Sequence, residues 1–255
     1  EYRMGQWPNE WFELPLTVFD LETTGFDPQT CQIIEIGMVQ FYRGKLEKSY
    51  NWLVDPECQI PEDIVKLTHI EQSDVDGQPK FREIARDVLK VFEGRGIVAY
   101  NIDFDRTFLK TKLEAIGLQW PAENPWFDPL IFAQHFYPYK SNKLGVVAER
   151  LGISLEGAHR ACNDAEATGY VFYQLLEQFG RDLPTTLKAL TEVQAQYQIE
   201  NQQRFQNRRN SNNLWGDSAS SDNSPKTLTT AFCYGTDEPD PLRAHYKNVP
   251  NKKRD

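Results

Sequence analysis

The chain reads as an α/β fold, a mixed five-stranded sheet flanked by helices with a C-terminal extension. Three observations predict it. Three strand-like segments open the chain, two of them joined by a tight turn. Strand and helix periodicities then alternate as far as Gly180. The 255 residues are 40% hydrophobic and 13% aromatic, enough for one sizeable core and too few for two large domains.

Strand-forming runs lie at Leu16–Glu22, Ile33–Tyr42 and Leu46–Val54, and Arg43-Gly44 supplies a hairpin turn between the last two. Pro61 at a first turn starts a short helix running to Thr68. Apolar residues at Phe81, Ile84, Ala85, Val88, Leu89 and Phe92 recur at helical spacing. Gly96–Tyr100 is a short buried strand, and a helix from Phe104 to Ile116 stops at Gly117. Trp126-Phe127 forms a short strand feeding a helix after Pro129, and Lys143–Leu151 is a further helix. The last core helix, Asp164–Phe179, buries Ala167, Tyr170, Val171 and Leu175 and ends at Gly180.

Beyond Gly180 the character changes. Residues 1–180 form the folded domain, and residues 181–201 carry one more helix, rich in Gln, over Thr185–Asn201. Residues 202–255 are rich in Gln, Asn, Arg and Ser and bury too little apolar area to fold alone, so an extended, flexible tail is expected. The Gln/Arg-rich stretch Gln202–Arg209 reads as a solvated linker, with attachment to nucleic acid or another protein as the alternative.

The net charge of −9 is unevenly spread. Residues 1–180 hold 17 basic against 28 acidic side chains, and residues 181–255 hold 11 against 9. An acidic core handles a polyanion through metal ions and local cations rather than through a global positive field. No run of about 18 apolar residues or signal-peptide pattern is present, so no membrane partner is expected. Cys31, Cys58, Cys162 and Cys233 show no paired spacing and read as reduced thiols of a cytoplasmic protein.

Three segments carry candidate chemistry. In Thr17–Gly25 an apolar strand contains Asp20 and Glu22, whose side chains project to one face. Two carboxylates there are costly unless neutralised, and a divalent cation with hard oxygen ligands does so. Asn101-Ile102-Asp103-Phe104-Asp105 follows the Gly96–Tyr100 strand at a strand-to-helix junction, where α/β sheets place their ligands. Gly157–Ala165 sets His159 five residues ahead of Asp164, which opens an amphipathic helix. Singly, each has a bland reading. Of Asp20 and Glu22, one sits at an exposed strand end and the other caps a turn, while Asp103, Asp105 and Asp164 serve as helix caps or a first-turn acid.

Together, in order, the three segments resemble the DEDDh family of 3′→5′ exonucleases. The D-x-E-T-T-G run is Asp20 to Gly25, the N-x-x-F-D element Asn101 to Asp105, and the H-x-A-x-x-D element His159 to Asp164. Ile33–Gly37, Ile60–Ile70, Phe127–Leu130 and Ser141–Leu144 resemble the segments between them, so the likeness covers about residues 15–180. The sister subgroup has tyrosine four residues before the last acid, where this chain has Arg160. The family commonly has histidine where this chain has Tyr100.

The resemblance implies a ribonuclease H-like fold and metal-dependent release of nucleoside 5′-monophosphates from single-stranded 3′ ends. Asp20, Glu22, Asp105 and Asp164 would bind two Mg²⁺ or Mn²⁺ ions, with His159 as general base. Motif spacing assigns the third acid to Asp105 rather than Asp103. Thr23, Thr24, Phe26 and Asn101 would hold the terminal nucleotide. DNA is favoured, with RNA trimming and a catalytically silent nucleic-acid-binding relative as alternatives, and a polymerase or other protein is the expected partner of the tail.

Overall fold

The sheet has the order β3-β2-β1-β4-β5. Its strands are β1 (Leu16–Thr23), β2 (Ile33–Tyr42), β3 (Lys45–Leu53), β4 (Gly96–Val98) and β5 (Trp126–Phe127). The computed structural model describes residues 7–154 and 160–213. Neighbours are antiparallel from β1 through β3 and parallel where β4 joins β1 and β5 joins β4. The hairpin between β2 and β3 turns on Arg43 and Gly44, both at positive φ, as a two-residue turn with matching twist requires.

The helices are α1 (Glu62–Thr68), α2 (Gln72–Val75), α3 (Phe81–Val91), α4 (Ile102–Ala115), α5 (Pro129–Phe136), α6 (Leu144–Arg150), α7 (Ala161–Gln178) and α8 (Leu187–Asn213). The period-2 alternation of β1 divides the core. Leu16 and Val18 join one cluster with Val171 and Leu175 of α7, Phe132 of α5 and Leu190 of α8. Phe19 and Leu21 join the other with Val88 of α3 and Phe108 and Leu109 of α4. Asp20 and Glu22 continue the row begun by Leu16 and Val18, so they project from the face that α7 covers.

Several boundaries differ from the sequence reading, among them the start of α7, which lies at Ala161 rather than Asp164 and so puts Asp164 inside the first turn. Helix α4 starts at Ile102 rather than Phe104, which places Asp103 as well as Asp105 in its first turn. Helix α8 continues to Asn213, past the end expected at Asn201. Its docking is polar as well as apolar. The Gln194 amide accepts from the Asp128 N–H (2.8 Å) and donates to the Trp126 carbonyl (3.2 Å). Asn201 and Arg204 donate to the carbonyls of Ile131 and Gln134, each at 3.0 Å. These bonds fix a stretch with little apolar periodicity against α5, since buried amides are stable only when paired. Residues 214–255, including Cys233, lie outside the described residues.

Candidate active site

Strand β1 supplies the first two acids. Asp20 is half-buried and Glu22 buried, side by side on one face. Asp164 comes from the first turn of α7. One carboxylate oxygen from each of Asp20, Glu22 and Asp164 lies within 4.8 Å of the others, a spacing that one cation could bridge. Hard oxygens from three carboxylates suit Mg²⁺ or Mn²⁺ better than a soft metal.

Asp105 reaches the same strand from α4. Its Oδ1 accepts the N–H of Leu21 at 3.0 Å, and Leu21 lies between Asp20 and Glu22. Asp103 behaves differently: its side chain is 61% exposed and paired with Arg106 at 2.6 Å. The first turn of α4 therefore separates the two acids, one buried against β1 and one turned to solvent.

This concentration of buried charge disfavours the ionised forms of the acids. Burial raises the Asp20 carboxyl well above the usual range, and the charges of Asp105, Asp164, Glu22 and Glu35 raise it further. Glu22 is pushed to about 8, chiefly by burial and then by Asp164, Glu35 and Asp105, with Arg160 opposing. Asp105 is also raised by burial, against the lowering effect of the Leu21 N–H. The cluster favours neutralisation by protons or by a cation.

A second layer positions these acids. Glu35, fully buried on β2, sits opposite Glu22 in the antiparallel register. Its carboxylate accepts from Asn51 Nδ2, from the Nε and Nη2 of Arg160, and from the Ala161 N–H at the start of α7. Gly37, opposite Asp20, has a related role. A Cβ there would lie 2.1 Å from the backbone of Ala161 and Cys162, so only glycine lets α7 approach this closely.

At the other motif, Asn101 takes the left-handed conformation (φ 62°, ψ 51°) that asparagine tolerates. Buried Asp128 secures that turn by accepting the N–H groups of Asn101 (2.9 Å), Ile102 (3.2 Å) and Leu130 (2.9 Å). Burial nonetheless raises Asp128 to about 7. Sequence reasoning assigned no role to Glu35 or Asp128. The available signals were an acid inside the apolar run Ile33–Gly37 and an acid directly before Pro129.

Of the expected nucleotide-binding residues, Thr23 ends β1 and Thr24 and Phe26 follow it, while Asn101 caps α4. The Thr23 hydroxyl donates to the Gly25 carbonyl (2.7 Å) and Thr24 Oγ1 accepts the Gln32 N–H (2.9 Å), so both hydroxyls shape the turn after β1. Phe26 is 47% exposed, its ring edge-to-face with Phe104 at 6.4 Å. His159, the expected general base, lies outside the described residues. Arg160, which follows it, is the N-cap residue of α7.

Residues 17–172 match the family model described as exonuclease, RNase_T. The chain is 40% identical over 163 residues to the DNA polymerase III PolC-type of Clostridium perfringens, covering 64% of this chain and 11% of that protein. It is 34% identical over 176 residues to the 3′-5′ exonuclease DinG of Bacillus subtilis, covering 68% of this chain and 19% of that one. It thus spans only a fraction of these relatives' length. Among solved structures, the nuclease domain of 3′hExo, a DEDDh family member, bound to rAMP, superposes with a TM-score of 0.58. The identity is 22%, with coverage of 69% of this chain and 97% of that one. That likeness establishes the ribonuclease H-like fold.

Proposed function

Because the chain belongs to the exonuclease family, we propose that it is a metal-dependent 3′→5′ exonuclease that releases nucleoside 5′-monophosphates from single strands. One observation carries this reading: oxygens of Asp20, Glu22 and Asp164 gather within 4.8 Å, and Asp105 is fastened to the same strand. These four residues would hold a pair of divalent cations, Mg²⁺ or Mn²⁺. Such ions, when bound, supply acidification of a water and neutralisation of the departing 3′-oxyanion.

The protein's own residues do the rest. His159 accepts a proton as the water oxygen attacks the terminal phosphorus and the bond to the preceding 3′-oxygen breaks. Glu35 ties the start of α7 to β2 and Asp128 ties the start of α4 to the turn before α5, which fixes the two helices that carry Asp164 and Asp105. Exposed Phe26 offers an apolar surface to the terminal base. DNA is the favoured substrate and the cytoplasm the inferred setting, on the likeness to a DNA polymerase III of PolC type.

A nuclease assay on labelled single strands tests the reading. Mononucleotide release that requires Mg²⁺ or Mn²⁺ and stops with chelator is the expected result. Binding without cleavage, or hydrolysis of small phosphoesters alone, would overturn it.

A further inference from the structure

A groove of about 260 Å³ lies between the segment joining α5 to α6 and the C-terminal half of α8. Its lining is basic and aromatic in a chain of net charge −9: Tyr139, Lys140 and Asn142 on one wall, Arg204, Phe205 and Arg208 on the other. No acid lines it.

The aromatic groups are presented to solvent. Tyr139 is 77% exposed and held at a positive φ of 68°, unusual for a bulky residue, and Phe205 is 39% exposed. Arg204 is fixed before any ligand arrives, because its Nη1 donates to the Gln134 carbonyl and to Asn201 Oδ1. The groove also connects to the catalytic motifs. The Tyr100 hydroxyl donates to the Asn142 carbonyl at 2.6 Å, and Tyr100 immediately precedes the Asn101 turn that starts α4.

Clustered cations beside exposed rings match the chemistry of a single strand, whose phosphates pair with Lys and Arg while its bases stack on aromatic faces. We propose that this groove grips the single-stranded nucleic acid upstream of the 3′ end being trimmed. The assignment rests on the exonuclease reading above and gives α8, which lies outside the family match, a part in substrate capture.

The test is fluorescence anisotropy in EDTA, so that binding is read without turnover. It compares single-stranded DNA of about 20 nucleotides with strands of about 4. The wild-type chain is expected to bind the longer strand at least about tenfold more tightly. Lys140→Gln with Arg208→Gln should remove most of that advantage and reduce the log–log salt slope by about 1.4, as expected for two lost phosphate contacts. Tyr139→Ala should weaken the longer strand by about tenfold through lost stacking. Unchanged affinity and slope in both variants, with nuclease activity present, would overturn the groove alone and leave it to an acidic protein segment. Groove-dependent binding without metal-dependent cleavage would overturn the exonuclease reading and not the groove.

Discussion

Arg160 closes a two-pronged ion pair on Glu35, with Nη2 2.8 Å from Oε1 and Nε 3.2 Å from Oε2. Glu35 is wholly buried, whereas the Arg160 side chain is 47% exposed. The pair joins the strand opposite Glu22 to the N-terminus of the helix that carries Asp164.

The unequal burial predicts unequal mutants. Arg160→Ala strands a buried carboxylate and should cost about 3 kcal/mol, whereas Glu35→Gln removes the buried charge and should cost about 1 kcal/mol. Urea denaturation of the two variants checks the order. Glu35→Gln should also weaken metal binding by about tenfold, since α7 loses part of its anchorage.

Gly37→Ala should be more damaging than a surface glycine substitution. The new methyl meets backbone atoms of Ala161 and Cys162 rather than a side chain that can rotate away. We expect a loss of about 2–4 kcal/mol and a fall in turnover as α7 is displaced, against little change for Gly117→Asn, where nothing lies within 4 Å and asparagine tolerates the left-handed backbone. Thermal melts and nuclease rates on the same samples give both readouts.

The raised acids make stability pH-dependent. Glu22 moves from 4.5 to about 8 on folding, so between those values the native state binds more protons than the unfolded chain. Its contribution to stability therefore falls as pH rises through that window. Metal-free protein should lose melting temperature from pH 5 to about 8, and Glu22→Gln should flatten that decline. Added Mg²⁺ should raise the melting temperature most at the alkaline end, where the carboxylates are free to bind it.

The two acids of α4 should separate cleanly. Asp105→Ala is expected to lower turnover by at least about a thousandfold, and Asp103→Ala to leave it within about threefold. The reverse outcome would reassign the ligand. His159→Ala should slow hydrolysis by about a hundredfold or more while metal binding is retained.

Much of this arrangement could be read from the chain, and the failures have physical causes. Alternation along β1 placed Asp20 and Glu22 on one face, because strand periodicity needs no tertiary knowledge. The choice of Asp105 over Asp103 had only motif spacing behind it, since a first helical turn accepts acids at either position. The extent of α8 was not legible. Its later turns are held by Asn201 and Arg204 donating to α5 carbonyls, and hydrophobic periodicity cannot register that polar docking. Glu35 escaped for a related reason: an acid in an apolar strand signals a partner, but Arg160 stands 125 residues away along the chain.

The central claim is that Asp20, Glu22, Asp105 and Asp164 together hold divalent cations. Anomalous diffraction from crystals soaked in Mn²⁺ measures this directly. The account predicts manganese peaks within about 2.5 Å of carboxylate oxygens of Asp20 and its partners, and their loss in Asp20→Asn. Crystals that take up manganese only elsewhere, or show no peak among these four side chains, would contradict it.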